Sequence, residues 1–367
     1  MKNSDIFTEL EKQNPKRNAG SPGLEQVSGA VKEQAAALGI NATTQKIPVF
    51  NFHISLLVFI VGSLAIIDLG YFLPWAGFGA GLAFFMLLMA EIIRPTFARL
   101  KSIPEKNLVL TVEARSKETQ RVLVVTDLST DSFVEPPPKG STRTYLIAVF
   151  LLGLGMVLAL GLNCLFTHKF MILVALAMVL GIIYLKIFGH SAGTGLETAS
   201  LSNSAVMMEL AQILTKGGLM RTTVKFLFSA SYSLNSGVLK VADLLDSRLS
   251  FNYVIELINQ PDKRINIVTA DGIFPTMKNH PLLVELLMEI GREKNIPVQE
   301  IKLNRITAAT TLKFKELHPT PEGNALKVKK INTITLTNPL DSYTGEDPQR
   351  DLRELIMGLI RKLDHPE

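Results

Sequence analysis

One cysteine occurs in the 367 residues, Cys164, and it lies inside an apolar run. A single thiol supports neither a disulfide framework nor a cysteine-based metal cluster, and this scarcity fits a reducing compartment. Histidine is also sparse: the six stand at 53, 168, 190, 280, 318 and 365, and no pair has metal-ligand spacing. His53, His168 and His190 border apolar blocks, and His318, in LHPTPEG, reads as an exposed loop residue. The net charge is a modest +5, with no Arg/Lys run interleaved with aromatics, so nucleic acid is not an expected partner. The first residues, MKNSDIFTELEKQNPKR, contain no apolar core, so a cleaved signal peptide is not indicated. Ser229, Ser231 and Ser233 are hydroxyls without a Gly-x-Ser-x-Gly elbow. The glycines of GHSAGTG are followed by no phosphate-loop lysine and preceded by no buried strand.

What is abundant is apolar sequence, concentrated in two blocks, Ile54–Ile93 and Tyr145–Phe188. A helix needs about 20 mostly apolar residues to cross a bilayer. Tyr145–Phe166 and Phe170–Phe188, joined at Thr167–Lys169, meet that length, as do Ile54–Leu73 and Trp75–Ile93 around Pro74. The expectation is two transmembrane helical hairpins, at 54–93 and 145–188, with the lipid bilayer as partner of all four helices. Asp68 and Glu91 interrupt the first block, which leaves a buried soluble hairpin open as its alternative. The two acids also raise an alternative in which the four helices form a transport component. Arg94, Arg99, Lys101, Lys106, Lys139, Arg143 and Lys186 flank the side that carries the polar segments. The positive-inside bias therefore places the soluble part on the cytoplasmic side of a multi-pass membrane protein.

The remaining segments, 1–50, 100–140 and 189–367, read as one discontinuous domain. Ser21-Pro22 opens a helix with the stripe Leu24, Val27, Val31, Ala35 and Leu38, ended by Gly39. Strands are predicted at Thr43–Val49, Asn107–Ala114, Arg121–Leu128, Thr222–Ser229, Phe251–Ile258, Ile265–Ala270, Val298–Leu303 and Lys330–Thr337. Helices are predicted at Asn203–Lys216, Gly237–Leu245, Pro281–Lys294 and Pro348–Leu363. This alternation implies an α/β fold with a mixed, largely parallel sheet and helices on both faces. In such sheets chemistry sits past the carboxyl ends of the strands, where TTVKFLFSASY runs out into hydroxyls.

Several patterns occur in order: RNAGSPG before the first helix, NLVL opening a strand, VLVVTDLSTDS, SLSNSAVMMELAQIL, TTVKFLFSASY, and PLDSYTGEDP before the last helix. In this order the soluble portion resembles the zinc aminopeptidases of metallopeptidase family twenty-eight, a group with noncatalytic membrane relatives such as nicastrin and nicalin. The resemblance implies two zinc ions at the strand ends and a glutamate as general base. Carried over one position at a time, the His-x-Asp pair of the family falls on Asp127 and Ser129. The bridging aspartate falls on Ser200. The paired glutamates fall on Ser231 and Tyr232, the later aspartate on Gln260, and the last histidine on Tyr343.

Serine, tyrosine and glutamine are poor zinc ligands, and one carboxylate does not hold two divalent ions. The expectation is therefore a catalytically inactive, membrane-anchored peptidase-like module with no cofactor, binding or scaffolding an unidentified protein or peptide partner. The alternative is an active metallo-aminopeptidase with displaced ligands, for which the cofactor would be zinc.

Overall fold

The computed structural model describes residues 3–13, 17, 21–49, 52–93, 103–129, 141–165, 201–230, 244–245, 249, 251–260, 262–271, 277–303, 331–339 and 343–365. The chain divides into two compact units. One comprises Met1–Pro48, Pro104–Glu135 and Gly195–Glu367; the other comprises Val49–Ile103 and Pro136–Thr194.

The first unit is built on strands β1 (Asn41–Val49), β2 (Ile103–Val112), β3 (Gln120–Asp127), β4 (Thr222–Ser229), β5 (Phe251–Gln260), β6 (Ile265–Asp271), β7 (Met277–Lys278), β8 (Val298–Lys302) and β9 (Ile331–Pro339). They form one sheet in the order β1-β2-β4-β3-β5-β9-β6-β7, with β8 beside β6. The central strands β4, β3, β5 and β9 run parallel to one another. Antiparallel pairs flank them: β2 with β4, and β6 with β9 and β7. The sheet is mixed with a parallel centre. The VLVV run of β3 is apolar on both sides, as a strand covered on two faces requires.

Alternation sorts these side chains into two layers. Val109, Leu123, Val125, Leu227 and Val254 form a buried cluster on one face, with Leu244 and Leu245 packed against it. The helix predicted at Gly237–Leu245 otherwise lies outside the described residues. Val124, Phe226, Phe228, Ile255 and Leu336 are buried in the opposite alternation. Helix α6 (Ser202–Gly217) packs on that face and against α8 (Pro348–Asp364), which also meets α7 (Pro281–Glu293). Helix α2 (Pro22–Ala37) starts as its sequence predicts: Ser21 Oγ accepts the Leu24 N–H at 3.3 Å, Pro22 opens the first turn, and Leu24, Val27, Val31 and Ala35 are buried.

Helix α1 (Asn3–Gln13) has no counterpart in the sequence expectations, which treat this stretch only as lacking a signal core. Phe7 is buried, and α1 packs on α6.

The second unit contains α3 (Phe52–Phe72), α4 (Pro74–Ile93) and α5 (Ser141–Leu165). Pro74 begins α4 because the first turn tolerates a residue without an N–H, and the hairpin turns at Leu73. The second helix of the other hairpin, Phe170–Phe188, lies outside the described residues. Among the described residues no helix is long and apolar enough to cross a membrane. The side chains described in these three helices are those of 61–72, 74–87 and 153–165, each a shorter stretch than a crossing needs.

Small residues set the packing of this unit. A Cβ on Gly77 would lie 2.1 Å from the Gly70 Cα, and one on Gly81 would lie 2.5 Å from Leu160. Backbones of α3 and α4 therefore approach where only glycine fits. Ser63 and Asn163 are buried, and Asn163 Nδ2 donates to the Gly70 carbonyl across helices at 3.0 Å. Outward stand Val61, Leu64, Leu73, Trp75, Leu82, Met86, Leu158 and Leu165, with Leu64 56% exposed and Trp75 69% exposed. Gly77→Ala is expected to push α3 and α4 apart at a cost of about 1–3 kcal/mol. A lowered midpoint of thermal unfolding would register it, whereas Gly79→Ala, with open space at its Cβ, should leave the midpoint unchanged.

Candidate functional site

Because β4, β3, β5 and β9 are parallel, their carboxyl ends share one edge of the sheet. That edge carries Asp127 opposite Ser229 and Asn259 opposite Asn338. Gln260 stands opposite Pro339. Of the sequence-predicted positions, Asp127, Ser129 and Gln260 are brought to this edge. Ser200, Ser231 and Tyr232 lie outside the described residues, and their neighbours Leu201 and Ala230 adjoin the start of α6 and the end of β4.

Asp127 is turned inward on its own strand end. Its Oδ1 accepts the Ser129 backbone N–H at 2.9 Å and the Ser129 hydroxyl at 2.8 Å. This closed turn follows from a carboxylate two residues before a hydroxyl, a local geometry that Asp favours. Arg17 stands beside it. This arginine is 1% exposed, and its Nε donates to the Leu128 carbonyl at 2.9 Å. Burial lowers the guanidinium pKa below its ordinary value, while the negative charges of Glu11 and Asp127 oppose that shift. Arginine still stays charged at such a site, so a fixed cation sits next to Asp127.

At the start of α6, Leu201 offers no side-chain cap. The carboxylate of Glu11, from α1, instead accepts the Leu201 N–H at 2.8 Å. A carboxylate at that end also suits the helix dipole. Around the next residues the groups are neutral. Ser202 Oγ donates to Asn259 Oδ1 at 3.1 Å. Asn338 Nδ2 donates to Ser202 Oγ at 2.9 Å and to Asn203 Oδ1 at 3.0 Å. Gln260 is a neutral amide at the end of β5. At the end of β4, the Ala230 N–H donates to Asn107 Oδ1 at 3.0 Å, and Asn107 reaches back to Gln45. The Asn of the NLVL motif thus fastens β2 to the outgoing chain of β4.

Tyr343 follows the carboxyl end of β9 and is held at the turn into α8. Its hydroxyl donates to Asp351 Oδ2 at 3.0 Å, in the first turn of α8. Burial first, and then the bond to Asp351, raise its pKa, so the phenol stays protonated. The next residue, Thr344, donates its N–H to the Lys263 carbonyl at 2.9 Å, which joins this turn to the β5–β6 loop.

The zinc implied by the family resemblance meets a poor donor set here. Two-metal hydrolysis requires several anionic or imidazole donors around the ions. Among the described residues no group of three or more His, Cys, Asp or Glu is gathered that could hold a metal. Asp127 already has one oxygen engaged twice, and the guanidinium beside it repels a divalent cation. The described residues of this edge do not fit a zinc pair.

No family model and no curated protein matches the sequence. Solved structures do match in fold. The glutaminyl cyclase of an Acidobacteriales bacterium is 10% identical, with a TM-score of 0.50, covering 100% of this chain and 94% of its own. The glutaminyl cyclase of Fimbriiglobus ruber is 12% identical, with a TM-score of 0.50, covering 98% and 94%. The LapA aminopeptidase of Legionella pneumophila is 10% identical, with a TM-score of 0.47, covering 98% and 70%. At such identities the likeness is one of fold, and the chain has the α/β fold seen in these cyclases. Fold alone leaves the activity to be argued from the site.

Two features of the edge escape sequence reasoning. Arg17 is visible only as the first letter of RNAGSPG, and Glu11 only as a charge in a polar N-terminus. The signal for α1 was Ile6, Phe7 and Leu10 at helical spacing, too short a stripe to stand out.

Proposed function

We propose that this chain is a membrane-inserted protein whose α/β unit is a noncatalytic zinc-exopeptidase-like module on the cytoplasmic face. The observation that carries the noncatalytic reading is the chemistry of the sheet's carboxyl edge. Where the family would gather carboxylates and imidazoles, the described groups are mostly amides and hydroxyls, and the acids Asp127 and Glu11 are engaged by Ser129, by the Leu201 N–H and by the charge of Arg17. Such an edge recognises polar groups by hydrogen bonds and has no described base to activate water. Its role is binding or scaffolding of a protein or peptide.

Membrane insertion is supported by the second unit. Its described exterior is largely Leu, Val, Met, Phe and Trp, with Asp68 the one exposed acid among the described residues of α3, while Ser63, Asn163 and close-packed glycines lie inside. Small and polar residues at helix contacts with apolar residues outward are the distribution lipid favours. The bilayer is the partner of both hairpins in this reading, and the basic residues flanking them set the cytoplasmic orientation.

A second reading, an active metallo-exopeptidase, draws support from the enzymes that share the fold. One assay separates the two. The full-length protein, purified in detergent and supplied with zinc, is expected to leave aminoacyl-anilide substrates intact. Zinc-dependent release of the amine that Asp127→Asn abolishes would establish the second reading instead.

A further inference from the structure

Three features of the molecule meet at one place outside any activity assigned above. Helix α1 packs on α6, with Phe7 buried. Glu11, near the end of α1, caps α6 at Leu201. Arg17, six residues further on, is sunk beside Asp127 with its Nε on the Leu128 carbonyl. A guanidinium with 1% exposure is costly unless its charge is answered, and the carboxylates that act on it are Glu11 and Asp127.

We infer that α1 and Arg17 act as an intramolecular strap on the carboxyl edge of the sheet, with Arg17 taking the place of a cation beside Asp127 and Glu11 closing the start of α6. This rests on the noncatalytic reading of the edge and adds what occupies it. The charges are interdependent. Without Arg17, Asp127 and Glu11 would both lose a positive charge that acts on them. Without Glu11, Arg17 would lose one of its two opposing charges, and the Leu201 N–H its partner. Loss of α1 from this edge would therefore uncover the start of α6 and remove a charge beside Asp127 together, so the strap acts as one unit.

Hydrogen exchange on the full-length protein, read peptide by peptide, tests this. Glu11→Ala is expected to speed exchange in α1 and in the first turn of α6 by roughly tenfold, the scale of one charge-assisted hydrogen bond. Protection in β6 and α7 should stay unchanged. Glu11→Gln, which keeps an acceptor, should lie between. Arg17→Met should reproduce the α1 and α6 changes; if that variant does not fold, the two Glu11 variants decide alone. Unchanged exchange in α1 and α6 for Glu11→Ala would overturn the strap. A metal-dependent rise in the wild-type unfolding midpoint on adding zinc alone, abolished by Asp127→Asn, would show a cation already accommodated there, and would overturn the substitution role of Arg17. The first outcome leaves the noncatalytic reading standing, and the second removes it.

Discussion

In the proposed membrane-inserted reading, arginine placed at both Leu64 and Leu82 is expected to prevent the first hairpin from entering a bilayer. Both leucines stand near the middle of their helices, and both face outward, 56% and 45% exposed. On the surface of a water-soluble helical unit such changes fall within about 0.5 kcal/mol of neutral. In hydrocarbon each central arginine costs about 2.5–3.5 kcal/mol of insertion. The pair should thus move the protein from the alkali-resistant membrane pellet into the aggregated or degraded fraction. A double variant that stays soluble, with unaltered stability, would place both leucines in water and remove the bilayer from the account.

Asp364→Ala is expected to lower the stability of the α/β unit by about 3 kcal/mol. This residue ends α8 and is 2% exposed. Its carboxylate accepts backbone N–H groups from Met220, Arg221 and Thr222, each at 2.9 Å, at the start of β4. Burial alone would raise the pKa of Asp364, but these backbone donors outweigh it and the pKa is lowered. The sign follows from linkage: the folded state holds the proton less tightly than the unfolded chain. The stabilisation is complete above the ordinary aspartate pKa of about 4 and fades as pH falls through the lowered folded value. Denaturant unfolding of the wild type should therefore weaken on acidification below about pH 4. Asp364→Asn should remove that part of the acid response while lowering stability at neutral pH. Equal acid slopes for the two proteins would assign the response to other carboxylates.

How far the sequence foretold this arrangement depended on the range of the interactions involved. Strands such as Thr222–Ser229 were legible because β-branched and aromatic residues repeat within a few positions. Ser21 and Pro22 announced the start of α2 because capping is local. The sheet's mixed character followed from alternation of strands and helices. The pairing of β6 with β9 and the two-residue β7 did not, since those partners are far apart in the chain. The same limit governed the candidate site. Asp127 and Gln260 were singled out through the family resemblance, which carries its ligand positions to the ends of apolar strands. Tyr343 was not expected to be bound by Asp351, eight residues on and in the next helix. Nor could Glu11 and Arg17 be linked to Leu201 and Leu128, because those contacts span separations of 190 and 111 residues.

Zinc content of the full-length protein tests the central claim most directly. The measurement is metal per chain by atomic emission, after purification without chelator and again after equilibration with zinc and removal of the excess. The expected result is well below one ion per chain in both states, the same for wild type and Asp127→Asn. One or two tightly held ions per chain, lost in Asp127→Asn, would contradict it.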